Sequence, residues 1–298
     1  MQATGKGNSS IEQCRRFYAE EIRAVTGISN ELATAFSRVP RERFLGGAPW
    51  LVAPAVSLYR TEFHSTSNPR DLYHDVLVAI SRERGINNGQ PTLLARLIGA
   101  LNLRPGGRVF HVGCGTGYYT AIMAEVIGPT GAVLAVELEL DLAARAAPNL
   151  DNYPCISVTH QDGAELGAGA RGIRNLDAVL VNATVTHPHP AWLKSLNEGG
   201  IILLPLAVGR DSGANDSVAV TVQRKGKKFL ARPVCLLNLY PSPSLRDAAL
   251  QAQLNHCFEA HTILDLKSVR VDDHPQTDTC LAHSPTFCLS TVPIDALP

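Results

Sequence analysis

A glycine-rich turn in the middle of the chain constrains the fold more than any other stretch. The apolar run at 109–112 predicts a buried strand, glycines follow at 113, 115 and 117, and the residues from Ala121 to Ile127 predict a helix. A strand, a glycine turn and a helix in this order hold a nucleotide-like ligand at the carboxyl edge of an α/β sheet. The G-x-G-x-G spacing differs from the dinucleotide G-x-G-x-x-G, and the turn has no lysine to reach phosphates. The turn by itself therefore predicts a ligand site without identifying the ligand.

The sequence after this turn alternates between strand and helix patterns. Short apolar strands are predicted at 132–136, 156–160, 176–181 and 201–205, with helical segments between them. Two further strands, 218–223 and 229–234, are joined by a short polar turn and predict an antiparallel hairpin. Such alternation predicts a Rossmann-like α/β fold, with a mostly parallel sheet that ends in an antiparallel hairpin.

Three regions follow from this pattern. Residues 1–91 are predicted to form N-terminal helices and, with a loop over 45–70, to cover the ligand site. Residues 92–235 carry the strand and helix alternation and form the ligand-binding domain. Residues 236–298 predict an α+β extension, in which Ser244 caps a helix from Leu245 to about Glu259 and strands occupy 262–271 and 286–289.

Composition excludes several classes of protein. The 27 basic and 27 acidic side chains cancel, so the basic field of a nucleic-acid-binding protein is missing. No apolar run approaches the roughly 20 residues that span a bilayer, and the N-terminus lacks the apolar segment of a secretory signal. Seven cysteines at irregular spacings favour reduced thiols over a disulfide framework. We therefore expect a cytoplasmic protein without nucleic-acid or membrane partners.

Acidic residues follow the next two predicted strands. Glu137 ends the strand at 132–136, where a carboxylate can accept hydrogen bonds from both hydroxyls of a ribose. Asp162, followed by Gly163, comes directly after the strand at 156–160, where an acid can meet an adenine amine. For Glu137 the alternative is a solvated charge, and for Asp162 it is a simple turn before glycine.

The glycine loop, these two acids, the strand at 177–181 and the strand after Gly199-Gly200 resemble the class I S-adenosylmethionine-dependent methyltransferases. More narrowly, the chain is similar to the protein-L-isoaspartate O-methyltransferases. Residues 39–44 match the V-P-R-E-x-F segment of that family, and Tyr73 with Asp75 matches its Y-x-D. Gln90-Pro91 and the apolar helix at 92–101 match its substrate loop and the helix that follows. The resemblance covers roughly residues 11–235 and leaves 236–298 without a counterpart.

This resemblance implies a class I methyltransferase fold, S-adenosyl-L-methionine as cofactor, and a small-molecule or peptide methyl acceptor. The residues that it places at the cofactor lie at the ends of the first four strands of the domain or in the segments that follow them: His111, Gly113, Cys114, Gly115, Thr116, Gly117, Tyr118, Glu137, Leu138, Asp162, Gly163 and Asn182. The residues that it places at the acceptor are Asn87, Asn88, Gly89 and Gln90.

Two positions depart from the pattern of the family. The loop serine falls on Gly89, so the role of its hydroxyl does not carry over to this chain. Methyltransferases usually have an acid just before the first glycines of the loop, and at that position this chain has His111. A neutral imidazole accepts a hydrogen bond less strongly than a carboxylate, so His111 either contacts the cofactor or supports the loop.

The acceptor decides which catalytic groups are needed. A carboxylate is ionised at neutral pH and needs alignment rather than a base, for which Asn88 and its neighbours offer amide donors. A hydroxyl or amine acceptor needs a base, and His187, after the strand at 176–181, is the candidate base or orienting group. Carboxylate O-methylation, hydroxyl or nitrogen methylation, and cofactor binding without catalysis all remain open at this point, as does a homodimer through the extension.

A group of acids, histidines and cysteines near the C-terminus invites a metal interpretation: Asp272, Asp273, His274, Cys280, His283 and Cys288. Structural zinc sites usually show paired ligands at short spacing, and the two cysteines do not form a C-x-x-C pair. The sequence therefore favours a polar loop with buried thiols, and we assign no metal ligands from it.

Overall fold

The N-terminal part of the chain forms a cover of two helices and a small sheet. The computed structural model describes residues 5–55, 62–165, 174–208 and 216–297. The elements of the cover are α1 (Gly5–Thr26), α2 (Asn30–Arg38), β1 (Trp50–Pro54), β2 (His64–Thr66), β3 (Val76–Ser81) and β4 (Ile86–Asn87). The small sheet has the order β2-β1-β3-β4. The predicted loop over 45–70 is wrong for β1 and β2, which are too short for a periodic signal; residues 56–61 of that loop lie outside the described part.

A ten-stranded sheet forms the centre of the molecule. Its strands are β5 (Arg108–Val112), β6 (Ala132–Glu137), β7 (Ile156–His160), β8 (Leu176–Val181), β9 (Leu196–Ala207), β10 (Asp216–Lys225), β11 (Lys228–Asn238), β12 (Ser268–Arg270), β13 (Cys280–Ser284) and β14 (Phe287–Ser290). The order is β13-β14-β12-β11-β10-β9-β8-β5-β6-β7. The five strands from β9 to β7 are parallel and the others antiparallel, which confirms the predicted fold class.

Helices cover both faces of this sheet. They are α3 (Pro91–Ala100), α4 (Tyr118–Ile127), α5 (Leu140–Asn149), α6 (Pro190–Ser195) and α7 (Ala248–Glu259). One apolar core joins α1 to α4 to the sheet, and a second core on the other face contains Trp192 and the buried side of α7. Among the described residues, no helix combines the length and apolarity needed to cross a bilayer.

The strand order reverses beside β5. This strand pairs in parallel with β6 on one side and with β8 on the other, and Val112 lies opposite Val136 and Val181. Connections to neighbours on opposite sides leave a crevice at the carboxyl ends of the strands, which is where open α/β sheets bind ligands. The glycine turn after Val112 lies at this crevice.

The C-terminal region continues the central sheet, because β12 pairs with β11 and β14 with β12. Three local predictions are wrong there. Helix α7 begins at Ala248 and is capped by Asp247, whose carboxylate accepts from the amide of Leu250, so Ser244 is not the cap. The predicted strand over 262–271 is a 3-10 turn (Thr262–Asp265) followed by the short β12. Strand β13 was missed because its alternation is interrupted by a bulge.

Candidate cofactor and substrate site

The glycine turn takes a backbone conformation that side chains rarely allow. Gly113 has φ of 75° and Gly115 has φ of 56°, both in the left-handed region. A Cβ on Gly113 would also lie 3.3 Å from the carbonyl oxygen of Asn182, which follows β8. The turn therefore packs its backbone directly against the end of the neighbouring strand.

Glu137 fixes the turn from the end of β6. Its Oε2 accepts from the amide of Gly115 at 2.6 Å, and its Oε1 accepts from the amide of Glu139 at 3.0 Å. The residue is 7% exposed. Burial raises the pKa of its carboxyl group, while the amides of Glu139, Gly115 and Leu138 act in the opposite direction.

A cavity of about 360 Å³ opens above the turn, within the size range of about 300–1,000 Å³ of small-molecule sites. The predicted cofactor residues that line it are Gly113, Gly115, Glu137, Leu138, Asp162, Gly163 and Asn182. The structure thus brings together residues that follow β5, β6, β7 and β8. Their meeting is the geometric consequence of parallel strands that end at one edge.

Four of the other predicted cofactor residues belong to the turn and the start of α4 but do not line this cavity: Cys114, Thr116, Gly117 and Tyr118. The Tyr118 ring packs instead against the rings of Phe36 and Phe44, and its hydroxyl lies 3.4 Å from that of Tyr18. Tyr118 therefore joins α4 to the N-terminal helices.

His111 lies in β5 behind the turn, fully buried and outside the cavity lining. Its Nδ1 lies 2.9 Å from the hydroxyl of Thr120 on α4, and its buried Nε2 has no partner among the described residues. Burial lowers its pKa to about 3, so the imidazole is neutral at physiological pH. In this position His111 can support α4, the helix that follows the glycine turn.

Asp162 is held between its own turn and the C-terminal region. Its Oδ1 accepts from the amide of Ala164 at 2.9 Å and from the hydroxyl of Ser244 at 2.8 Å. The residue thus forms an Asx turn and also lines the cavity, so the turn does not exclude a role at a ligand. Behind it, a Cβ on Gly163 would come within 2.4 Å of Val112, so glycine is required for this packing.

Asn182 presents an unpaired acceptor at the cavity. Its Nδ2 donates to the carbonyl of Gly113 at 3.2 Å, which leaves Oδ1 buried without a partner among the described residues. A buried polar atom without a partner costs about 1–3 kcal/mol, so such atoms at a cavity favour a polar ligand. S-adenosylmethionine carries an ammonium group and two ribose hydroxyls, and this cavity offers acceptors for both.

The predicted substrate loop contributes unevenly to the cavity. Asn87 and Gly89 line it, whereas Asn88 and Gln90 do not. Asn88 accepts from Nε of Arg41 at 3.2 Å, and Gln90 donates to the carboxylate of Asp75 at 2.7 Å. The side-chain amides of Asn88 and Gln90 therefore position the loop without lining the cavity.

Arg41 organises this loop, a role that was not predicted from the sequence. It is fully buried and donates to backbone carbonyls, among them those of Leu72 and Val76, each at 2.8 Å, and that of Gly89 at 3.3 Å. A guanidinium with five donors suits several carbonyls at once. The family segment at 39–44 was the available signal, but it does not reveal what the arginine contacts.

The rim of the cavity is closed by contacts between the cover and the rest of the chain. The hydroxyl of Tyr240 donates to the carbonyl of Gly85 and accepts from Nδ2 of Asn87 at 3.3 Å. Arg84 forms ion pairs with Glu139 at 2.7 Å and with Asp141 at 2.6 Å. Tyr240 was not predicted as a site residue, because nothing local links it to the β3–β4 turn.

His187 is not brought to this cavity. Its ring stacks on Phe287 with centroids 5.5 Å apart, and its Nδ1 lies 2.9 Å from the hydroxyl of Thr186. Burial lowers its pKa, and the nearby Asp247 partly offsets that effect. The structure gives it a packing role beside the C-terminal strands.

The strand order, the glycine turn at the reversal point and the acid after β6 define a class I S-adenosylmethionine-dependent methyltransferase. The sequence model of "Protein-L-isoaspartate(D-aspartate) O-methyltransferase (PCMT)" matches residues 51–232, and the chain belongs to this family. It is therefore a methyltransferase that uses S-adenosylmethionine.

Individual relatives agree with this assignment. The chain is 31% identical over 216 residues to the protein-L-isoaspartate O-methyltransferase of Cronobacter sakazakii. This alignment covers 72% of this chain and 89% of the relative. Among solved structures, a protein-L-isoaspartate O-methyltransferase superposes with a TM-score of 0.59 at 21% identity, over 80% of this chain and 69% of the other. The PCMT protein of Plasmodium falciparum, solved with S-adenosyl-L-homocysteine, also gives 0.59 at 18% identity, over 76% and 97%. At these identities the structural matches support the fold.

Proposed function

We propose that this protein transfers a methyl group from S-adenosylmethionine to a carboxylate of a peptide or small metabolite. The products are a methyl ester and S-adenosylhomocysteine. The observation that carries the proposal is the composition of the cavity wall, whose described residues include no histidine, lysine or cysteine. Of its acids, Glu139 is paired with Arg84, and Glu137 and Asp162 are assigned to the cofactor below. A carboxylate is already ionised at neutral pH, so it is the acceptor that needs no such base.

We assign the cofactor to the residues that follow the parallel strands. Glu137 uses two of its acceptor positions on backbone amides and keeps others for the ribose hydroxyls. Asp162 is the partner for the adenine amine, and Asn182 Oδ1 is an acceptor for the ammonium group. When bound, the cofactor supplies an electrophilic methyl group on a sulfonium. The protein then has to align the acceptor with that group and exclude water.

The acceptor side is formed by Asn87, Gly89 and Tyr240. Asn87 is held by two contacts, since its Oδ1 accepts from the amide of Gly89 at 2.8 Å and its Nδ2 meets the Tyr240 hydroxyl. At position 89 the chain lacks the hydroxyl expected from the family resemblance. An acceptor that differs from an isoaspartyl peptide is therefore part of the proposal.

The test is transfer of labelled methyl from S-adenosylmethionine to three acceptors: an isoaspartyl peptide, its aspartyl isomer and a metabolite extract. We expect label that alkali releases as methanol, because carboxyl methyl esters hydrolyse readily. Label in the extract but not in the peptides supports a diverged acceptor. Alkali-stable label would refute carboxylate methylation. Label in the isoaspartyl peptide would refute the proposal that the acceptor differs from an isoaspartyl peptide.

A further inference from the structure

Four side chains with metal-binding atoms converge in the C-terminal region, outside the family match and outside the cavity. They are His274, Cys280, His283 and Cys288, and one ligand atom from each lies within 4.8 Å of all the others. Their spacing is H-x5-C-x2-H-x4-C, which lacks the cysteine pair sought in the sequence. Pairing of β13 with β14 brings Cys280, His283 and Cys288 together, and the loop between β12 and β13 adds His274.

The backbone of β13 and β14 explains how the ligands share one face. His283 lies directly opposite Cys288 in the antiparallel pair, so their side chains are neighbours. Residues three apart on a regular strand point to opposite faces, but a bulge falls between Cys280 and Ala282. The extra residue changes the alternation and turns Cys280 to the side of His283.

Hydrogen bonds prepare His274 as a ligand. Its Nδ1 lies 2.9 Å from the carbonyl oxygen of Asp272, and since a carbonyl only accepts, Nδ1 carries the hydrogen. This tautomer of the neutral imidazole leaves Nε2 as the metal-binding nitrogen, and Nε2 lies 3.8 Å from Sγ of Cys280. Metal-bound histidines usually donate their other ring nitrogen to a carbonyl or carboxylate in this way.

His283 supplies an independent observation. Its Nδ1 is buried and has no hydrogen-bond partner among the described residues. Its backbone is fixed by Gln253 of α7, whose Oε1 accepts from the His283 amide at 2.8 Å and whose Nε2 donates to its carbonyl at 3.2 Å. The imidazole thus extends from a fixed backbone to a position beside two thiols, while Nδ1 has no partner among the described residues.

We propose that these four side chains bind one Zn²⁺ ion in a tetrahedral Cys2His2 site. Two thiolates and two imidazoles are ligands that suit Zn²⁺. Bonds of about 2.3 Å to sulfur and about 2.0–2.1 Å to nitrogen put tetrahedral ligand atoms roughly 3.3–3.8 Å apart, so modest side-chain shifts close the observed cluster onto an ion. Four protein ligands leave no open position, which makes the site structural rather than catalytic.

The ion would fix the C-terminal strands against the methyltransferase domain. Phe287, between the last two ligands, stacks on His187 of the segment after β8. Cys257 of α7 donates to the carbonyl of Leu281 at 2.9 Å, which joins the same hairpin to the helix. Zinc would therefore stabilise the packing on which the segment from 182 to 189 rests.

The first test uses the full chain, purified under reducing conditions, stripped with a chelator and titrated with Zn²⁺ or Co²⁺. We expect one equivalent of zinc per chain and, with cobalt, the ligand-field and thiolate charge-transfer bands of a tetrahedral site. If folded wild-type protein loaded with Co²⁺ lacks these bands, the proposal is overturned, even where the protein binds zinc. A Cys280–Cys288 disulfide, located by peptide mapping and persisting after purification under reducing conditions, would also overturn it.

Variants locate the ion. Cys288→Ser and His283→Gln should each lower zinc affinity by more than the 10–100-fold that loss of an outer partner typically costs. Cys155→Ser, which changes a cysteine outside the cluster, should keep both stoichiometry and affinity. Zinc should raise the melting temperature of wild type and Cys155→Ser but not of Cys288→Ser. Equal zinc affinity in Cys288→Ser and wild type would refute the assignment.

Discussion

The carboxylate of Glu137 accepts a 2.6 Å hydrogen bond from the amide of Gly115, so an acid after β6 holds the glycine turn after β5. The same carboxylate lines the cavity above the turn. Glu137 therefore both shapes the turn and faces the space in which a ligand would bind. Loss of this side chain should be felt in binding and in the conformation of the turn.

Glu137→Ala should weaken binding of S-adenosylhomocysteine by about 1–3 kcal/mol, because ribose hydroxyls and the Gly115 amide would lose their acceptor. Isothermal calorimetry measures the difference. Glu198→Gln is the matched control, since Glu198 lies at the other end of the sheet, where it accepts from the amide of Gly226. Unchanged affinity in Glu137→Ala would contradict the assigned role.

Arg41→Lys should lower the free energy of unfolding by about 3 kcal/mol or more. The ammonium group of a lysine has three donors and lacks the planar, forked shape of a guanidinium. Several of the buried carbonyls that Arg41 contacts would therefore lose their partner. Urea denaturation followed by circular dichroism gives the value. Arg38→Lys, at an exposed arginine 3.6 Å from Glu125, should change stability by less than about 1 kcal/mol. Similar losses in both variants would argue against a special role for Arg41.

Gly89→Ser and Gly89→Ala should both destabilise the protein by about 1–2 kcal/mol. Gly89 has φ of 77°, and an added Cβ would lie 3.1 Å from Leu94 and 3.3 Å from Tyr119. The pair separates backbone strain from the hydroxyl, because the two variants share the strain and only serine brings the hydroxyl. Thermal denaturation of both tests this, and a serine variant as stable as wild type would mean that the loop adopts another conformation.

The free energy of unfolding should decrease as the pH falls below about 6.5, partly because of His111. Its pKa is about 3 in the folded chain and about 6.5 when unfolded, so the unfolded chain binds an additional proton between these values. This contributes about 2 kcal/mol of lost stability between pH 6.5 and 5. His111→Asn keeps a partner for Thr120 and removes the titration, so its pH dependence should be flatter by that amount. Parallel curves for the two proteins would show that His111 does not cause the loss.

Most of the parallel sheet follows from local sequence patterns. The alternation of apolar strands and helices predicted β5 to β9 and the helices between them, since each element carries its own periodicity. The cover was harder, because β1 and β2 have five and three residues and Arg41 acts through carbonyls that no pattern marks. In the cofactor set, the residues that lead from strands into turns line the cavity, while His111 and Tyr118 point into packed layers.

The fold class, the glycine turn and the acids at the ends of β6 and β7 could be predicted from the amino-acid sequence, because they depend on residue type and short spacing. Which side chains face the cavity depends on the folded chain, since a one-residue step along a strand or a turn reverses the direction of a side chain. The contacts between distant segments also depend on the folded chain. Tyr240 meets Asn87, and Cys280 meets His274, because the packing of distant segments brings together residues that spacing along the chain cannot connect.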